Sequence, residues 1–136
     1  MADCIFCQII QGKIPCNKVY ENEDFLAFLD IHPITHGHTL LIPKAHFDNL
    51  DECPESVITG MAGLFPALAQ AAVSAVKAEG YNIFLNNRRA AGQLVDHVHF
   101  HIVPRMAGDE AIRHASAPKS APAEMTELAA KINSFL

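Results

Sequence analysis

Basic clusters, long apolar runs and tryptophan are all missing from this chain. Lysine and arginine total 10 against 15 acidic residues, and Arg88–Arg89 is the one adjacent pair of cations. A protein that grips duplex nucleic acid carries a basic stripe, so no nucleic-acid partner is expected. A small anionic ligand stays open, because a local site can be positive inside an acidic protein. Without an uninterrupted apolar stretch of about 18 residues, no membrane span is expected. The N-terminal "MADCIFCQIIQGK" has an acid where an export signal carries its basic region, so a cytoplasmic, reducing setting is expected. Cysteine is sparse: Cys4, Cys7, Cys16 and Cys53. Without an export signal they do not read as a disulfide framework. Cys4-x-x-Cys7 then reads as a redox pair, two core thiols or half of a zinc site.

The 136 residues fit one domain, and half of them are hydrophobic, enough for a core. We assign residues 1–136 to that domain, with its centre at 4–105 and a C-terminal loop and helix at 106–136. "DCIFCQIIQGKIP" predicts a short helix capped by Asp3 and ended by Gly12. "KVYENEDFLAFLDI" predicts two strands around the turn "ENED", and "HTLLIPK" predicts a buried strand. The Ala-, Leu- and Val-rich stretch from Pro54 to Gly80 predicts the main helix, broken or kinked at Pro66. "YNIFLNN" and "HVHFHIVP" predict two more strands, joined by "RRAAGQLVD" with a tight turn at Gly92. "AEMTELAAKINSFL" predicts a terminal helix. The class is α+β, with an antiparallel sheet of about five strands, one main helix and short helices at both termini.

In the stretch "DHVHFHIVPR", His97, His99 and His101 recur at every second position. On a strand they share a face, about 6.6 Å apart, while Val98, Phe100 and Ile102 face the core. One such histidine would be an ordinary polar strand residue. Three in register point to chemistry, either as ligands of a metal or as a nucleophile with its attendants.

"NNRRAAGQLVDHVHFHIVPR" resembles the signature of the histidine triad family, His-φ-His-φ-His-φ-φ, with φ hydrophobic. "FLAFLDIHPITHGHTLLIPKAHF" and "CIFCQIIQGKIPCNKVYENED" are similar to the family's upstream and N-terminal blocks, so the likeness covers most of Cys4 to Arg105. The resemblance implies a nucleotide-binding hydrolase. Such an enzyme cleaves nucleoside phosphoramidates, of the adenosine 5′-phosphoramidate type, or dinucleoside polyphosphates at the α-phosphorus. It implies His99 as the nucleophile of a covalent nucleotidyl-histidine, with His101 on the phosphate and the bridging atom and His97 beside them. It places Asn86, Gly92, Gln93 and Val95 around the phosphate and Asp30 on the ribose hydroxyls. Phe6, Ile9, Phe28, Leu29 and Ile31 fall around a purine base, and His38 near the triad. His32 and His36 read as solvated loop residues.

The same resemblance implies a structural zinc held by Cys4, Cys7, His46 and His97, and no organic cofactor. It implies a homodimer formed through the main helix and a central strand, with the segment from Val57 to Ala78 supplying the apolar face. The ligand is a purine mononucleotide or a nucleotide conjugate. Two departures stand out. Arg88 replaces a glycine found in many members, and Leu94 replaces a serine or threonine whose hydroxyl can touch phosphate. Either Arg88 or Arg89 then makes that contact, or it is lost. The tryptophan-bearing tail of some members is absent. Two alternatives remain beside the hydrolase: a zinc-stabilised nucleotide-binding module with little catalysis, and a nucleotidylyltransferase.

Overall fold

A computed structural model describes residues 3–113 and 115–136. Among the described residues, five strands form one antiparallel sheet: β1 (Lys18–Glu21), β2 (Phe25–Leu29), β3 (Thr39–Pro43), β4 (Gly80–Leu85) and β5 (Phe100–Arg105). Their order is β1-β2-β3-β5-β4, which leaves β1 and β4 as edges. Helix α1 (Ile5–Ile10) precedes the sheet, α2 (Glu55–Val76) is the long connection between β3 and β4, and α3 (Pro122–Asn133) follows β5. The α+β expectation therefore holds.

Strands β2 and β3 are apolar on both faces, and each face is covered. On one, Phe25, Ala27, Leu41, Val98 and Ile102 pack with Met61, Leu68 and Ala69 of α2. On the other, Leu26, Phe28, Leu40 and Ile42 pack with Phe6 of α1. This second face carries the histidines and remains open beyond α1.

Several element boundaries differ from the sequence-based expectation. Cys4, not Asp3, caps α1: its Sγ accepts the Cys7 N–H at 3.3 Å. Helix α2 runs unbroken across Pro66, whose ring lies on the exposed face while Met61 and Leu68 anchor the helix on either side. It stops at Lys77, in the left-handed conformation at φ 57°, and Gly80 opens β4 instead of closing the helix. By length and composition α2 could cross a membrane, contrary to the reading of the uninterrupted runs alone; here one stripe of it packs on the sheet. Strand β5 begins at Phe100, so only His101 of the triad lies in a strand. His97 and Val98 are turned away from the ladder: the His97 N–H donates to Val95 O, and the Val98 N–H to Phe47 O. The two-residue alternation survives, with Val98 and Ile102 in the α2-side core. Met125, Leu128 and Ile132 of α3 lie one helical turn apart and are all exposed.

Candidate functional site

Beside α1 lies a cavity of about 460 Å³, within the range of small-molecule sites. Of the residues assigned to a nucleotide, Phe6, Ile9, Phe28, Leu29, Asp30, Ile31, Asn86, Gly92, Val95, His99 and His101 line it. Helix α1 supplies Phe6, whose ring meets His99 edge-on at 5.2 Å and Phe28 at 5.5 Å. Asp30 follows β2, and its Oδ1 accepts the His32 N–H at 2.8 Å. Gly92, at φ 88°, ends the turn Arg89–Ala91 in a left-handed conformation that suits glycine, and the Asn86 amide faces it.

The hydrogen bonds fix which nitrogen of each ring carries the proton. A carbonyl can only accept, so His99 Nδ1–H donates to His97 O at 2.7 Å, which leaves Nε2 with a free lone pair. The Ile34 N–H donates to His38 Nδ1 at 3.0 Å. Neutral His38 therefore carries its proton on Nε2 and donates it to His101 Nδ1 at 2.9 Å. His101 in turn carries its proton on Nε2, which is buried and has no partner among the described residues. Among the His38, His99 and His101 rings, the cavity thus holds one nucleophilic lone pair, on His99, and one uncommitted donor, on His101. Burial keeps the rings neutral. It lowers His99 and His38 below the ordinary imidazole value, and with His99 and His38 nearby it takes His101 down to about 4. The Phe84 ring stacks on His101 at 4.6 Å.

Behind this site, Cys4, Cys7, His46 and His97 bring two sulfurs and two nitrogens within 4.8 Å of one another. Cys4 Sγ and His97 Nδ1 are 3.3 Å apart, Cys7 Sγ and His46 Nδ1 3.3 Å, and Cys7 Sγ and His97 Nδ1 3.7 Å. A tetrahedral zinc with ordinary Zn–S and Zn–N bonds sets such S···N edges at about 3.6 Å. His97 Nε2–H donates to Pro43 O at 2.7 Å and His46 Nε2–H to Asp48 Oδ1 at 2.8 Å, so both Nδ1 lone pairs face the thiols. That is the outer arrangement that holds metal-bound histidines in place. Burial lowers His97 to about 4, which keeps its Nδ1 unprotonated. The donor set fits zinc. A second group, Asp30, His38 and His101, is also close enough to hold an ion, but it opens into the cavity.

Gln93 does not line the cavity. It is buried, and its amide is used within the protein: Oε1 accepts the Arg88 N–H at 2.7 Å, and Nε2 donates to Asp48 O at 2.5 Å and Val95 O at 2.9 Å. It therefore ties the phosphate-side loop to the segment that carries His46. Neither arginine turns inward. Arg88 pairs with Asp51, and Arg89 with Asp96 and Gln93 O. Arg88 sits at φ 71°, ψ 160°, a region almost reserved for glycine. Arg88→Gly is therefore expected to be more stable than Arg88→Ala by about 1–2 kcal/mol. Urea midpoints of the two variants check this, and equal midpoints would show an unstrained backbone. Sequence reasoning missed Phe84, Asp48 and the Ile34 amide, because each acts only through the histidine ring it touches and belongs to no motif.

A family model described as HIT domain matches residues 11–108. The chain is 45% identical over 107 residues to an adenylylsulfatase of Arabidopsis thaliana, covering 79% of this chain and 54% of that protein, so it spans about half of that relative. It is 46% identical over 102 residues to an adenosine 5′-monophosphoramidase of Schizosaccharomyces pombe, covering 75% of this chain and 74% of the relative. A crystal structure from Streptococcus mutans, 44% identical, superposes with a TM-score of 0.94 over 99% of this chain and 86% of that one. A zinc-bound histidine triad family protein from Mycobacterium smegmatis, 38% identical, superposes with a TM-score of 0.78 over 99% of each chain. With the triad, the sheet order and these matches in agreement, the chain belongs to the histidine triad family.

Proposed function

We propose that this protein is a nucleotide hydrolase. It cleaves at the α-phosphorus of nucleoside phosphoramidates or dinucleoside polyphosphates and passes through a nucleotidyl-histidine on His99. The observation that carries this reading is the fixed tautomer of His99, with Nδ1–H held by His97 O and Nε2 left as a lone pair facing the cavity. Nε2 attacks phosphorus and forms a P–N bond as the bond to the leaving group breaks. The electron pair of that bond goes to the leaving atom, which the His101 Nε2–H meets and which takes a proton from the medium. Water then attacks phosphorus, the P–Nε2 bond breaks, and the proton lost by water returns to the medium. Asp30 accepts from the ribose hydroxyls, and the apolar side chains of Phe6, Ile9, Phe28 and Leu29 enclose the base. Zinc on Cys4, Cys7, His46 and His97, when bound, supplies no open position and acts as a structural pin. It fixes His97, whose carbonyl orients His99.

The test is release of AMP from adenosine 5′-phosphoramidate. Binding of AMP without release would favour the binding-module alternative. The pH dependence gives a second check. His99 and His101 are both lowered from 6.5, so each takes up its proton at a lower pH than a free imidazole does. Since kcat/KM reports the free enzyme, its acid limb should be centred below pH 6.5. An acid limb centred above 6.5 would contradict neutral, buried rings.

A dimer through the outer face of α2, where Ala62, Pro66, Ala67 and Ala71 are exposed, is part of the same reading. Sedimentation of a single-chain mass would overturn it.

A further inference from the structure

We propose that Gln93 is a positioning residue that couples the zinc cluster to the phosphate side of the nucleotide cavity, so that zinc and a 5′-phosphate each raise the other's affinity. The inference rests on the nucleotide reading above and deepens it by naming what regulates that site.

The amide of Gln93 lies between the two sites. The residue is 2% exposed, buried outside the cavity that its neighbours Gly92, Leu94 and Val95 line. Its oxygen accepts the Arg88 N–H and closes the turn that ends at Gly92. Its two N–H groups go to two carbonyls, each one step from a zinc-site histidine. Asp48 O takes one at 2.5 Å, and the Asp48 carboxylate accepts His46 Nε2–H at 2.8 Å. Val95 O takes the other at 2.9 Å and also accepts the His97 N–H at 2.9 Å. Both imidazoles of the cluster therefore reach the loop through one amide. Two further contacts join the same segments: the Leu50 N–H donates to Asn87 Oδ1 at 2.9 Å, and Arg88 pairs with Asp51. The Arg88–Asp51 pair is exposed and contributes little in water. The amide of Gln93 is buried, where a lost bond leaves a polar group unsatisfied, so its bonds dominate the coupling.

Zinc decides how firmly this frame is held. Loaded, the cation fixes His46 and His97 together. Stripped, their Nδ1 atoms face thiols at 3.3–3.7 Å, which are weak hydrogen-bond partners. The His46 segment and the Val95–His97 turn are then free to shift, and the loop shifts with them because Gln93 holds it to both. The groups assigned to the phosphate, Asn86 and Gly92, belong to that loop. A phosphate bound there selects the arrangement that zinc also selects, and such linkage is reciprocal. Base and ribose meet α1 and the end of β2 instead. Helix α1 is itself capped by the zinc-site Cys4, but loosening it weakens adenosine and AMP alike. An effect carried by Gln93 therefore shows as a change in the preference for AMP over adenosine.

The experiment measures Kd for AMP and for adenosine by calorimetry, on zinc-loaded and on chelator-stripped protein, well below the melting transition of the stripped form. In the wild type the preference for AMP over adenosine is expected to fall about tenfold on stripping. Gln93→Met is close in volume but lacks the amide. It should keep one zinc per chain, since Gln93 is not in the cluster. Its preference should be low with zinc bound and change less than about twofold on stripping. Asn87→Ala, which removes only the Leu50 bond, is the milder variant and should lose about twofold of the effect. The reciprocal measurement needs no variant. The chelator concentration that strips half of the zinc from the wild type should rise about tenfold with saturating AMP and change little with adenosine. An AMP preference that is the same with and without zinc, or full coupling in folded Gln93→Met, would overturn the proposal and leave the nucleotide site intact. Protein that binds neither AMP nor adenosine would overturn the nucleotide reading and the coupling with it.

Discussion

Alanine in place of His99 is expected to lower AMP release from adenosine 5′-phosphoramidate by at least about a thousandfold, while AMP itself still binds within about threefold of the wild-type affinity. The size follows from what the ring does. In the wild type its Nε2 is aimed, neutral and free of other partners, because Nδ1–H is committed to His97 O at 2.7 Å. No nitrogen of His38, His97 or His101 has that state. His38 Nδ1 is occupied by the Ile34 N–H, His101 Nδ1 by His38 Nε2–H, and His101 Nε2 carries a proton. His97 turns both nitrogens away, one toward Pro43 O and one toward the thiols. The variant therefore lacks a substitute among these rings, and direct attack by water is expected to carry residual turnover. AMP affinity changes little because the base, ribose and much of the phosphate are held by other groups. Rapid quench of the wild type should also trap one adenylyl group per chain, and the variant should trap none. Comparable turnover in the variant, or an adenylyl group still bound to it, would remove His99 from the nucleophile's role.

Much of this site was legible in the sequence, since its residues sit in short contiguous blocks. The alternation from His97 to Ile102 placed histidines and core residues on opposite faces, and the structure keeps that partition although β5 begins only at Phe100. The expected start of the main helix at Pro54 likewise matched: Pro54, in an extended conformation, caps α2, where a proline is tolerated. What the sequence could not convey depends on contacts across it. Gln93 reads as a phosphate ligand by position, yet its amide is used by Arg88, Asp48 and Val95, residues that meet only when the loop folds over the His46 segment. Arg88 and Arg89 read as candidates for a phosphate until Asp51 and Asp96 are seen to hold them outward. The proton positions on four rings depend on a backbone amide, two carbonyls and a carboxylate, none of which has a sequence signature.

Removal of zinc carries the other large expected effect, and it falls on stability before it falls on chemistry. Zinc is expected at one atom per purified chain, and stripping it with a strong chelator should lower the melting temperature by about 10 °C. That figure follows from a site saturated about a thousandfold above its Kd, worth about 4 kcal/mol, in a domain of this size. The cluster bridges α1, the segment after β3 and the entry to the triad. Without the cation, two thiols and two imidazoles are left facing each other at 3.3–3.7 Å, with weak S–H hydrogen bonds in place of coordinate bonds. Cys4→Ser should lose the metal and reproduce the lower melting temperature, whereas Cys16→Ser should keep one zinc per chain, because Cys16 is not in the cluster. Activity should then fall through geometry. His97 supplies both the Nδ1 that faces the thiols and the carbonyl that orients His99, so loosening the ring loosens the nucleophile. Metal-free protein that melts at the same temperature with and without chelator would show that hydrogen-bonded thiols suffice, and that Cys4-x-x-Cys7 serves this fold as core residues.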